Sequence, residues 1–139
     1  MPRVNFYSLP QDNENARRQF ACRLAEKLSR QGVALQLFTS SEEEAGELDR
    51  LLWSFSAESF VPHALADTAA TAAVSVVVSW GNPAAHGTLL NLTDTLPPGH
   101  EGLDTISEFV LNENNAKTQS RELWNRYKQL GYELQHHQM

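Results

Sequence analysis

The sequence predicts an α/β protein built on a mostly parallel sheet of about five strands, and three observations lead there. Short apolar runs of strand length recur along the chain: VNFYSL at 4–9, VALQLF at 33–38, VSVVVSW at 74–80, TLLNLT at 88–93 and TISEFVLN at 105–112. Segments of helical periodicity lie between several of them, so crossover helices can return the chain to lay strands side by side. The third observation is VSVVVSW itself, β-branched on both faces, as a central parallel strand buried on both sides requires. With 139 residues the chain is expected to form one domain, residues 1–139.

The elements follow in order. After the strand at 4–9, NARRQFACRLAEKLSRQG places Phe20, Leu24 and Leu28 at helical spacing with Ala21 and Ala25 beside them, and Gly32 ends the helix. Beyond the second strand, Ser41-Glu42-Glu43-Glu44 reads as a capping box with acids in the first turn. It opens a helix to about Trp53 through Ala45, Leu48 and Leu52. The least regular region, 54–73, reads as a crossover with one short strand. A Gly-Asn-Pro turn precedes 88–93, and LPPGHEG at 96–102 is a loop by composition. The last helix is predicted over about 115–130, with cap candidates from Asn112 to Asn115 and a stop at Gly131. YELQHHQM then leaves room for a short edge strand and a solvated tail carrying His136 and His137.

Charge and motifs narrow the function. The net charge is −6, and residues 51–116 contain seven acids and no Lys or Arg. Duplex binding draws on several cationic phosphate contacts, so direct DNA binding is not expected. Cys22 is the only cysteine, which excludes disulfides and cysteine-based zinc sites and suits a reducing cytoplasm. It sits in an apolar helical run and reads as a buried, inert thiol. The N-terminus has no apolar segment of signal-peptide length, and no stretch suits a membrane span, so a cytoplasmic chain is expected. The first strand-to-helix turn, SLPQDNEN, has no glycine, and neither GxGxxG nor GxxxxGK[ST] occurs. There is no GxSxG elbow, and the five histidines show no metal-ligand spacing. No catalytic residues, metal or cofactor are therefore assigned. The rival reading on this class of sheet is a nucleotide- or small-ligand-binding enzyme.

The last helix holds the most informative pattern. At about 100° per residue, Ala116, Ser120, Leu123, Tyr127 and Leu130 share a core-facing stripe. Lys117, Arg121, Trp124 and Lys128 share another, roughly 100° away. A tryptophan grouped with three cations either covers the core margin or forms an aromatic shelf. Such a shelf, rimmed by charge, fits a ligand that pairs an apolar group with a carboxylate.

The N-terminal NFYSL, LDRLLWSFSAESFVPHALA at 48–66 and RELWNRYKQLGY at 121–132 resemble the chi subunit family of bacterial DNA polymerase III holoenzyme. The resemblance spans nearly the whole chain. It implies a Rossmann-like three-layer sandwich with helices on both faces, acting as a non-catalytic accessory subunit in DNA replication within a DNA-directed DNA polymerase complex. It also implies two principal partners: the psi subunit, which tethers the family to the clamp loader, and the acidic C-terminal tail of single-stranded-DNA-binding protein. The tail site implied by the resemblance comprises Val110, Lys117, Arg121, Trp124, Gly131 and Tyr132, and Lys128 joins it from the helical stripe. Asn125 stands where the resemblance leads us to expect a further basic residue, and Trp124 replaces an expected tyrosine.

In LLWSFSAESFVPHALA (51–66), aromatics crowd without a helical or strand period. On pattern alone Trp53 and Phe60 favour the core; the resemblance moves both to the surface that meets psi, where a helicase is expected to compete. Leu52 and Val61 keep the core reading, and Phe55 is assigned to neither.

Overall fold

The computed structural model describes residues 2–54, 63–65 and 76–139. In chain order the elements are β1 (Arg3–Ser8), α1 (Glu14–Arg30), β2 (Leu35–Thr39), α2 (Glu42–Ser54), β3 (His63–Leu65), β4 (Val76–Trp80), β5 (Gly87–Asn91), β6 (Leu103–Val110), α3 (Asn114–Gln129) and β7 (Glu133–Gln138). A 3-10 turn at His100–Gly102 leads into β6. Among the described residues, seven strands form one sheet in the order β3-β4-β2-β5-β6-β1-β7. Every pairing is parallel. The five strands expected from the apolar runs are all present, and the three-residue β3 and the six-residue β7 close the two edges. Phe55, Phe60 and Val61 lie outside the described residues.

The alternation of side chains along each strand sorts the core into two layers. Leu35, Leu37, Val76, Val78, Leu90 and Phe109 pack with Ala21, Cys22 and Ala25 of α1 and with Ala45, Leu48 and Leu52 of α2. Val4, Phe6, Phe38, Leu89, Ile106 and Val110 pack with Leu123 and Tyr127 of α3. Helices thus cover both faces, giving the three-layer, Rossmann-like sandwich. Small residues on α1 let it lie close to the sheet. Burial pushes the Cys22 thiol up to about 12, so it stays protonated and inert.

Local chemistry fixes the helix ends. The Asn13 side chain accepts the Ala16 N–H at 2.9 Å, and Ser41 Oγ accepts the Glu44 N–H at 3.2 Å. The reciprocal arm of the predicted capping box closes on the Ser40 N–H, which donates to the Glu44 carboxylate. Where no helix links β4 to β5, the chain itself crosses the sheet. Gln36 of β2 receives the Ala84 N–H at 3.2 Å and donates to the Ala84 carbonyl at 2.8 Å. A buried glutamine is thereby satisfied by the link it pins.

Two expectations need correction. Leu130 is not part of the core stripe: α3 ends at Gln129, and Leu130, as its C-terminal cap, is 43% exposed. His136 and His137 do not lie in a tail, although His136 is exposed as expected. Both belong to β7, paired in register with Phe6 and Tyr7 of β1.

One buried polar network joins α3 to the sheet. Tyr127, fully buried, donates its hydroxyl to Glu108 of β6 at 2.8 Å, and the Asn91 amide of β5 donates to the same carboxyl at 2.9 Å. Burial raises the Glu108 carboxyl to about 8, against the pull of both donors, so it is largely protonated at neutral pH. Burial, then the neighbouring Glu108, raises the Tyr127 phenol as well, which keeps its proton in place as the donor.

The Glu108 shift has a sign that can be tested. Between the ordinary 4.5 and about 8 the folded chain holds a proton that the unfolded chain releases, so this group's stabilisation is complete below 4.5 and declines as pH rises to 8. Urea denaturation from pH 5 to 8 should show Glu108→Gln gaining on the parent chain by a few kcal/mol, on the order of 2–4. A constant difference across that range would mean that Glu108 does not titrate in this way.

Candidate cleft at the carboxyl ends of three strands

β6, β1 and β7 end side by side, and backbone hydrogen bonds tie their exits together. The Leu9 N–H donates to the Val110 carbonyl at 2.8 Å, Met139 N–H to the Ser8 carbonyl at 2.9 Å, and Asn112 N–H to the Gln11 carbonyl at 2.7 Å. The chain leaving β6 turns at once into α3, whose first N–H groups are capped by the Glu113 carboxylate at 2.9 and 3.0 Å. This places the first turns of α3 along the rim of the strand ends, where open parallel sheets commonly take their ligands.

Between helix and strand ends lies an open cleft of about 650 Å³. Phe6, Leu9, Pro10, Val110 and Leu111 give it an apolar lining; Lys117, Ser120, Arg121 and Trp124 of α3 form one wall. Ser8, Asn112, His136 and Gln138 add polar groups. The four α3 residues stand at i, i+3, i+4 and i+7, a single helical stripe. Among the described residues that line the cleft, none is a carboxylate. Whereas Arg3, Arg17, Arg18 and Arg30 each have a carboxylate within 4 Å, neither Lys117 nor Arg121 has one among the described residues.

Trp124 serves both readings weighed from the helical wheel. Its ring lies 5.2 Å from Phe6 with the planes tilted by 60°, so it covers the margin of the core. It also lines the cleft, as Phe6 does. An apolar lining, a tryptophan wall and two cations form a receptor for an apolar side chain attached to a carboxylate.

Of the residues expected at the site, the structure brings Val110, Lys117, Arg121 and Trp124 together around the cleft. Lys128 is exposed one turn beyond Trp124 and does not line it. Gly131, at φ 82°, terminates α3 through its N–H to Lys128. Tyr132 turns toward the loop before β6, its hydroxyl 2.7 Å from His100 Nδ1 and its ring stacked on Tyr127 at 6.0 Å. Trp53, 58% exposed in the last turn of α2, is the largest exposed apolar residue described. α2 packs on β3 and β4, and α3 on β6 and β7, so Trp53 and the cleft occupy opposite ends of the sheet.

Sequence reasoning missed Phe6, Ser8 and His136. They reach the cleft only because β1 lies between β6 and β7, a neighbourhood that no local pattern encodes. The one available signal was Leu134, His136 and Gln138 alternating onto one face of ELQHHQ. No group of His, Cys, Asp or Glu among the described residues could hold a metal, and no described helix is long and apolar enough to cross a membrane.

Comparison with known proteins adds a family. Residues 1–135 match the family model described as DNA polymerase III chi subunit, HolC. A DNA polymerase III subunit chi of Pseudomonas aeruginosa is 38% identical over 141 residues, covering 100% of this chain and 98% of the relative. One from Haemophilus influenzae is 33% identical over 130 residues, covering 91% of this chain and 88% of the relative. One from Escherichia coli is 28% identical over 141 residues, covering 96% of each.

The cleft's two kinds of wall residue should separate in thermal and urea melts. Trp124→Ala removes packing against Phe6 and should destabilise by roughly 1–3 kcal/mol. Arg121→Ala, at an exposed helix position, should stay within about 0.5 kcal/mol of the parent. Equal losses from the two would show that Arg121 has a structural role.

Proposed function

Since the chain belongs to the DNA polymerase III chi subunit family, replication accessory subunits, we propose that it acts as a non-catalytic adaptor with a different partner at each end of its sheet. At the α3 end it takes the acidic C-terminal tail of single-stranded-DNA-binding protein. At the α2 end, around Trp53, it meets the psi subunit and through it the clamp loader. The observation that carries this reading is the cleft in which Lys117 and Arg121, without carboxylate partners, flank Trp124 over an apolar lining.

The chemistry is that of a carboxylate receptor. Arg121 can clamp the peptide's terminal carboxylate with two charge-assisted hydrogen bonds, while the terminal apolar ring rests between Trp124 and Val110. Lys117 and the more distant Lys128 screen the acidic residues upstream. Asn125, exposed on α3, brings no further charge. A site this small binds weakly, on the order of micromolar or about −8 kcal/mol. Many tails presented on one coated DNA strand would raise the effective strength through avidity.

Two variants test the two ends separately. By titration calorimetry with a synthetic acidic peptide ending in phenylalanine, Arg121→Ala should bind about 2 kcal/mol more weakly, about thirtyfold, while co-purifying with psi as the parent does. Trp53→Ala should show the opposite pattern. Peptide binding should also weaken as salt rises. Equal peptide affinity for the parent and Arg121→Ala would remove the tail from this cleft.

A further inference from the structure

We propose that His136 is a third anion-recognition residue of the cleft, and that its protonated ring donates to Ser8 Oγ and so leaves the Ser8 hydroxyl proton for the bound carboxylate. The proposal rests on peptide docking as described above and adds its regulation by protons.

The geometry is local and specific. His136 on β7 pairs with Phe6 on β1, and its Nε2 lies 2.7 Å from Ser8 Oγ. Both side chains line the cleft. A serine has a single hydroxyl proton to give. In the neutral tautomer with its proton on Nδ1, Nε2 accepts the Ser8 proton, which is then lost to a ligand; in the other, Nε2–H already donates to Ser8 Oγ. With a protonated ring, Nε2–H donates to Ser8 Oγ, and the hydroxyl proton is released to another acceptor. Protonation therefore adds a positive charge from either tautomer and, from the first, also redirects one donor.

Among the described residues that line the cleft, none carries a carboxylate. α3 contributes Lys117 and Arg121, β1 contributes Ser8 and Phe6, the stretch from β6 into α3 contributes Val110, Leu111 and Asn112, and β7 contributes Gln138. The electrostatic partner for a protonated His136 is thus the carboxylate of the incoming peptide. By linkage, binding to the protonated ring draws up to one proton from solvent, and affinity rises as pH falls. The other ring-bonded histidines are placed differently. His137 stacks on Tyr7 at 4.8 Å on the opposite sheet face and bonds to Asn5, and His100 bonds to Tyr132.

The experiment is calorimetric titration of the full chain with the phenylalanine-ended acidic peptide at pH 8 and pH 6, a window in which ordinary peptide carboxylates stay ionised. Binding should be roughly five- to tenfold tighter at pH 6. It should also take up a measurable fraction of a proton, read from buffers of different ionisation enthalpy. In His136→Gln the ratio between the two pH values should collapse toward one, and in His137→Gln it should persist. Proton uptake that persists in Glu108→Gln separates His136 from the buried carboxyl, itself raised to about 8, and decides the matter even if His136→Gln folds poorly. Binding with no pH dependence and no uptake overturns the His136 inference alone, as does a pH dependence that survives His136→Gln. Absence of peptide binding at both pH values overturns the tail-docking reading and this inference with it.

Discussion

The hydrogen bonds that converge on Glu108 hold the third helix against the sheet, and the cleft depends on them. Tyr127 and Asn91 approach the same buried carboxyl at 2.8 and 2.9 Å from different elements. Apolar contact alone, from Leu123 and the Tyr127 ring, would tolerate small rotations of α3. A satisfied polar network in a low dielectric does not, since a misplaced donor leaves a buried group unpaired. With Tyr127 fixed inward, the 3.6-residue period carries Lys117, Arg121 and Trp124 onto the rim. A neutral Glu108 allows this without an uncompensated buried charge.

The second organising constraint is the parallel sheet. Its seven-strand order sends α2 to one end and α3 to the other, and it brings the first and last strands of the chain together beside β6. An adaptor must keep two binding surfaces apart on a body that does not deform. Among the described residues, seven hydrogen-bonded strands between α-helical layers hold the two proposed surfaces apart. The proposed division of partners uses this separation, with a peptide receptor at the strand exits and an exposed tryptophan at the far end.

The sequence made much of this legible, for definite reasons. β-branched runs such as VSVVVSW and the apolar spacing of Ala45, Leu48 and Leu52 report burial directly, so the sheet, the helices and most of the core could be read locally. Trp124 stood out because it broke the stripe defined by Leu123 and Tyr127. The failures share one cause, dependence on distant partners. YELQHHQM left room for an edge strand, but its low apolar content could not show that His136 and His137 belong to it; pairing with β1 at the other end of the chain places them there. Leu130 fits the helical period but falls just past the last turn, where the period no longer fixes its direction. Ser8 and His136 are ordinary polar residues until the sheet order places them 2.7 Å apart.

A crystal structure of the chain with a synthetic acidic peptide ending in phenylalanine tests the central claim most directly. The account predicts the terminal carboxylate within hydrogen-bond distance of the Arg121 guanidinium, with the phenylalanine ring between Trp124 and Val110. A peptide seated at the Trp53 end of the sheet, or bound through its upstream acids with the terminal carboxylate free in solvent, would contradict it.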